Sequence, residues 1–342
     1  MSVTGKAPGR VNLIGEHIDY NGGMVLPAAL SIGLEVQLTP REDDRVIVTA
    51  NTYDEPATRQ MGESANGHWS DPAMGGLTQA HKLGLITGGA ELSIHSTIPE
   101  GSGLSSSAAL IVAILKAARA QAGGTQTDTE LAVEARKVEN EFMGVPCGIM
   151  DQMAVALATP GSAMALDTDK LTFELVDLPQ SHAVVVVHSG LTRKLTDGRY
   201  AARKVECDAA KAHFGTDDLC HLDLDMVEAA DLDEAVRKRT RHCVTEHARV
   251  LSAIKALQSN DIPALAEAMN ASHISMRDDF EMSLPAIDAL VADAVSLGAD
   301  AARLTGGGFG GCIVALVAKD KQEVWLDTLL SQHPEARFIA AA

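Results

Sequence analysis

Glu91-Leu92-Ser93-Ile94-His95-Ser96-Thr97-Ile98 is followed by Pro99-Glu100-Gly101-Ser102-Gly103 and then by Leu104-Ser105-Ser106-Ser107-Ala108-Ala109, which opens an Ala-rich run to Gln121. The first segment reads as a strand, the second as a breaker cluster, and the third as the start of a long helix. Strand, glycine loop, helix is therefore the expected unit. Two glycines let a backbone approach a ligand closely, and unpaired amides at a helix start favour an anion. No Gly-Lys-Ser/Thr follows, so this is not a Walker A loop, and a phosphate held here needs its counter-charge from elsewhere. A turn with serine caps is the alternative reading.

Downstream, Thr127 and Glu130 have the spacing of a capping box, and Leu131, Ala135, Val138 and Phe142 form one helical stripe with Glu139 at its margin. Upstream, short β-rich runs (Val11–Ile14, Met24–Leu26, Leu34–Leu38, Val46–Thr49) alternate with Gly, Pro and Asn. Residues 71–86 look helical. Strands are expected at Ala163–Leu166, Leu171–Val176 and Ala183–His188, and helices at Arg199–His213, Val244–Gln258, Ile262–Ala271 and Ala286–Leu297. Cys312–Ala318 reads as a further strand and Arg337–Ala341 as a last one. Strand-rich, then helix-rich, then strand again is an α+β pattern. The break at Pro179–His182 is the expected boundary between two lobes that share a cleft.

The 342 residues are 46% hydrophobic and 22% charged, a composition that buries a core. Twenty-eight basic against 46 acidic residues leave a net charge of −18, which repels nucleic acid and anionic membrane surfaces. The five cysteines follow no metal or disulfide spacing and read as reduced thiols. With no export signal and no long apolar run, a cytoplasmic location is expected.

Three further stretches carry polar chemistry. Arg10, Asn12, Glu16, His17, Asp19, Tyr20 and Asn21 lie among four glycines, a set suited to the hydroxyls of a polyol and to no zinc or calcium pattern. Gly306-Gly307-Gly308-Phe309-Gly310-Gly311 contains a formal GxGxxG, but it follows a helix and precedes a strand, the wrong order for a dinucleotide fingerprint. Close approach to a substrate or to the other glycine loop explains its glycines better. Asp151 sits among apolar neighbours, where it serves either as a base in a cleft or as a helix cap. His188, Arg193, Lys194, Arg199 and Tyr200 either bring positive charge to a phosphate or mark a solvated helix start, the commoner reading of such runs.

Together these segments resemble the galactokinase branch of the GHMP small-molecule kinases. Ala7–Asn21 is similar to its sugar-binding signature, the serine loop to its ATP motif, and Leu304–Gly311 to its third motif. Val145–Gln152, Tyr200–Cys207 and Ser272–Phe280 resemble further galactokinase segments. The resemblance implies a two-lobed GHMP kinase fold with the active site in the cleft, an N-terminal domain over 1–180 and a C-terminal domain over 181–342. It implies ATP- and Mg²⁺-dependent phosphorylation of the 1-hydroxyl of galactose. N-acetylgalactosamine or another anomeric hydroxyl is the alternative acceptor, and a non-catalytic galactose and ATP sensor is the rival of another class.

By the same resemblance Asp151 accepts the hydroxyl proton and Arg10 steadies it. Glu16, His17, Asp19, Gly148 and Tyr200 hold the sugar, with Gly307 by the reacting centre. Gly101, Ser102, Gly103, Leu104, Ser105 and Ser106 wrap the ATP phosphates, and Ser105 and Glu139 coordinate Mg²⁺. The expected partners are a small sugar and ATP, with neither nucleic acid nor membrane, on a monomer or weak homodimer. The sequence departs from the family at Ile18, usually Thr, and at Gly75-Gly76-Leu77, where small residues replace aromatic and basic ones.

Overall fold

A computed structural model describes residues 2–191 and 198–342; Arg193 and Lys194 lie outside the described residues. In chain order the strands are β1 (Val3–Asn12), β2 (Met24–Val25), β3 (Pro27–Pro40), β4 (Arg45–Ala50), β5 (Tyr53–Gln60), β6 (Ala90–Ser96), β7 (Ser162–Asp167), β8 (Thr172–Asp177), β9 (His182–His188), β10 (Ala301–Leu304), β11 (Cys312–Ala318) and β12 (Arg337–Ala341). The helices are α1 (Asp71–Lys82), α2 (Ser106–Ala122), α3 (Asp128–Lys137), α4 (Met150–Leu157), α5 (Arg199–Phe214), α6 (Leu224–Ala229), α7 (Glu234–Gln258), α8 (Ile262–Asp278), α9 (Pro285–Ser296) and α10 (Gln322–Gln332). A π-helical turn, Val138–Phe142, continues α3. The chain is α+β, and it forms two compact units.

The first unit comprises 1–10, 30–100 and 104–157. Its strands run in the order β3, β6, β4, β5, with β1 also paired to β3. β3 and β6 are antiparallel, Leu34 opposite Ser96 and Pro40 opposite Ala90, whereas β4 and β6 are parallel. α2 packs against α1, α3 and α4. Small side chains allow this: a Cβ on Gly5 of β1 would sit 1.9 Å from the carbonyl oxygen of Ala113 in α2. Gly75 in α1 likewise lies where a Cβ would meet Val138 at 2.4 Å, which accounts for the small residues at that point of the sequence. The expected capping box of α3 is present, the Thr127 hydroxyl accepting from the Glu130 amide and the Glu130 carboxylate from the Thr127 amide.

The second unit comprises 11–29, 101–103 and 158–342. A four-stranded antiparallel sheet runs β10, β11, β9, β12, with the valines of β9 and the apolar run of β11 at its centre. β2, β7 and β8 form a second antiparallel set, joined at Ala28 by the start of β3. α7 packs on α5, α6 and α8, and α8 and α9 pack on β10. α7 begins ten residues before the expected Val244, in a stretch dense with arginines. One of these, Arg239, is buried on Glu206 at 2.7 Å and Glu281 at 2.8 Å. Pro179–His182 joins β8 to β9 within this unit. Among the described residues no helix is long and apolar enough to cross a membrane.

Candidate active site

In the first unit Asp151 lies in the opening turn of α4, so it is not the residue that caps the helix. Its side chain is turned to two other elements. From β1, Arg10 places Nε 2.9 Å and Nη2 2.7 Å from Oδ1; at the start of α2, the Ser105 hydroxyl donates to Oδ2 at 2.6 Å. Arg10 is buried, while Asp151 keeps 32% of its side chain exposed, enough to meet a substrate. Ser105 stands at the position of a helix cap, yet its hydroxyl caps nothing, and its backbone is left-handed with φ +62°. Strain of this kind persists where surrounding contacts hold it, and here the contact is the hydrogen bond to Asp151.

Glu139, in the π-helical turn, is buried beside this group. Ser107 donates to one of its oxygens at 2.9 Å and the Gln152 amide to the other. Burial and then the charge of Asp151 push its carboxyl up to about 7, against the pull of Ser107, Gln152 and Arg10. The buried Gln152 Oε1 has no partner. A raised carboxyl with an orphaned amide oxygen suits a hard cation, and Mg²⁺ is commonly held by one or two carboxylates together with substrate phosphates. Among the described residues no cluster of three or more His, Cys, Asp or Glu could hold a metal by itself. The resemblance pairs Glu139 with Ser105 for the cation. In the structure Ser105 donates to Asp151, and the serine at Glu139 is Ser107, two residues further on.

The second unit carries the signature loop. Glu16 is 1% exposed, and its carboxylate is taken up inside the protein by Arg303, by the Thr305 hydroxyl at 3.2 Å and by the Gly306 amide at 3.1 Å. Burial pushes the Glu16 carboxyl up, against Arg303. This differs from the direct sugar contact the resemblance gives Glu16: a fully buried guanidinium needs a counter-charge, and Glu16 supplies it. His17, with φ +62°, packs in tilted ring contacts on Tyr200 at 4.8 Å and on Phe280 at 4.5 Å between ring centroids. Its Nδ1 lies 2.7 Å from the Tyr20 hydroxyl. The other ring nitrogen lies 3.4 Å from the Gly307 carbonyl, which can only accept, so in the neutral ring Nδ1 accepts from the phenol, whose pKa burial holds well above its ordinary value. Asp19 and Tyr200 are half-buried, and from Ala301 to Val317 Gly307 is the one residue that is not buried.

The glycine cluster packs on the other glycine loop, as its composition suggests. A Cβ on Gly306 would lie 3.4 Å from the Gly103 carbonyl and one on Gly311 3.5 Å from that of Ser102, and the Cys312 thiol donates to the same Ser102 carbonyl at 3.2 Å. Gly101 and Gly103 adopt φ +66° and +75°. In the first unit Leu104 is buried and its carbonyl accepts from the Arg10 amide at 3.3 Å, Ser106 is exposed, and Gly148 is buried just before α4. Ile18 is fully buried, and its side chain fills the space above Gly23, where a Cβ would sit 2.7 Å away. Sequence reasoning gave Ser107 and Thr305 no role apart from their motifs and did not single out Arg303 or Glu246; a serine third in a row of three, or an arginine inside an apolar strand, carries no pattern of its own.

The model of the GHMP kinases N terminal domain matches 64–159 and that of the GHMP kinases C terminal matches 253–327. The galactokinase galactose-binding signature matches 2–40. A crystal structure of Lactococcus lactis galactokinase complexed with galactose is 32% identical, with a TM-score of 0.94 over 99% of this chain and 93% of that one. Mevalonate kinases share the fold: that of Methanococcus jannaschii is 18% identical at TM-score 0.73, over 100% of this chain and 97% of its own. The L. major mevalonate kinase in complex with R-mevalonate is 22% identical at TM-score 0.68, over 99% of this chain and 94% of its own. The fold is that of a GHMP kinase. Within that class, the chain belongs to the galactokinase family.

Proposed function

We propose that this chain is a galactokinase that transfers the γ-phosphoryl group of ATP to the 1-hydroxyl of galactose, giving galactose 1-phosphate and ADP. The observation that carries the reading is the Arg10–Asp151–Ser105 group. Arg10 occupies Oδ1, and Oδ2, which takes one hydrogen bond from Ser105, keeps a lone pair for the sugar hydroxyl. As that oxygen attacks the terminal phosphorus, its proton passes to Asp151 and the bond to the ADP oxygen breaks. Arg10 stabilises charge that grows during transfer.

His17, Asp19, Tyr200 and Gly148 hold the sugar, with Gly307 by the reacting centre and Glu16 fixing the loop from behind. Gly101, Ser102, Gly103, Leu104, Ser105 and Ser106 serve the phosphates through backbone amides and hydroxyls. Glu139 with Ser107 would hold Mg²⁺, which when bound supplies Lewis-acid charge to the phosphates. Five cysteines that form no disulfide support a reducing, cytoplasmic setting.

The test is ADP release with galactose, N-acetylgalactosamine, glucose, arabinose and mevalonate as acceptors. Galactose is expected to give the highest kcat/KM. A clear preference for another acceptor, or galactose binding without ADP release, would contradict the reading.

A further inference from the structure

Behind the signature loop lies a charged cluster in the second unit whose centre, Arg303 and Glu246, is completely buried. Arg303 of β10, 0% exposed, donates from Nη1 to the Leu13 carbonyl at 2.8 Å and the Asn12 carbonyl at 3.3 Å, and from Nη2 to Glu16. Glu246 of α7, also 0% exposed, accepts from the Gly15 amide at 2.9 Å, the Ser272 hydroxyl at 2.6 Å and Arg249 Nε at 2.7 Å. Its own distance to Arg303 is 3.9 Å. From the same helix His242 Nε2 lies 3.1 Å from the Glu16 carbonyl. Every residue from Asn12 to Glu16 except Ile14 is thus bonded to Arg303, Glu246 or His242.

Burying such charges is a poor way to gain stability, because desolvation offsets the attraction; the best-attested use of a buried ionic group is to fix one register against others. The geometry supplies the register. Glu16 bonds forward to Thr305 and Gly306, two and three residues past Arg303, and His17 faces Gly307. We infer that Arg303 and Glu246 form a clamp that positions the sugar-binding loop, setting His17 and its neighbours against Gly306 and Gly307 without touching the sugar.

The inference rests on the galactose reading above, and the experiment separates the two. Arg303→Lys, Glu246→Gln and Ser272→Ala are made in the full chain. Galactose affinity is measured by calorimetry without nucleotide, KM for galactose and for ATP by ADP release, and folding by circular dichroism. Glu246→Gln is expected to weaken galactose binding and raise its KM at least tenfold, with KM for ATP within twofold and an unchanged spectrum. Arg303→Lys, which keeps the charge and loses the fork, shifts the same two quantities. Ser272→Ala, which removes one bond to Glu246 and no charge, gives a smaller shift of the same sign and serves should the charged variants not fold. A folded variant at Arg303 or Glu246 with wild-type galactose affinity, or a folded Ser272→Ala with no shift when neither of those folds, overturns the clamp. A wild-type chain that binds no galactose overturns the functional reading instead.

Discussion

Ser105 shows how one residue type admits two readings, a helix cap or a hydroxyl for a site. A serine before an Ala-rich helix is an excellent cap, and the sequence offers no reason to deny it that duty. The structure places its hydroxyl on Asp151 and leaves the helix end uncapped by a side chain. Asp151 is the converse case, with the cap excluded by its position inside the first turn of α4. Ile18 makes a third. Its departure from the usual Thr suggests a role in selecting the sugar, but its side chain is buried between Gly23 and the core. Ile18→Thr is therefore expected to leave the ratio of kcat/KM for galactose and N-acetylgalactosamine within about twofold. The same change buries a hydroxyl and gives up apolar contact, at about 1–3 kcal/mol of stability in denaturant unfolding. A changed ratio with unchanged stability would place the side chain at the sugar after all.

Among the elements, α7 carries the most that sequence periodicity leaves out. Its first turns hold Arg237, Lys238, Arg239 and Arg241, and a window scored on apolar spacing starts the helix only at Val244. β10 is hidden in the same way, four residues long with Arg303 in the middle, and β5 shows eight mostly exposed residues with no apolar alternation. Elements held by buried charge escape a reading based on greasy stripes, whereas α2, α3, β9 and β11, held by Ala, Val, Leu and Ile, were legible. The buried charge on α7 also has a consequence for pH. His242 is fully buried, and burial lowers its pKa from 6.5 to about 4, so between those values the unfolded chain takes up a proton that the folded chain refuses. Stability then falls as pH falls from about 6.5, by at most about 1.4 kcal/mol per pH unit for this one group. Glu246 adds to the loss lower down: although burial opposes its charge, Arg249, His242, Arg303 and Ser272 bring it to about 2, so the stability it contributes is present above 4.5 and lost as pH falls toward 2. Glu139, raised to about 7, acts in the opposite sense over this range, so the test is a comparison. Between pH 6.5 and 5 the urea midpoint should decline more steeply for the wild type than for His242→Gln, and equal slopes would mean that His242 is protonated in the folded state.

At the scale of the whole molecule, the α+β class, the strand–loop–helix unit and the glycine clusters follow from composition, spacing and order along the chain. The particular reaction does not, since a phosphate-binding loop and a polyol-binding loop together fit many small-molecule kinases. What separates them is the signature at the N-terminus and the neighbours it acquires from residues more than a hundred positions away, such as Asp151 at Arg10 and Arg303 at Glu16. Such pairings are invisible to any local window. On the proposed reading, a chain of net charge −18 gathers positive charge where the phosphates meet the reacting oxygen, and Arg10, paired with Asp151, is the residue assigned that task. The most direct measurement is the turnover of Asp151→Asn, with galactose affinity measured on the same sample. The account predicts retained galactose binding and turnover reduced at least about a hundredfold, the usual worth of a general base. Turnover near that of the wild type would contradict it and leave Asp151 a structural residue.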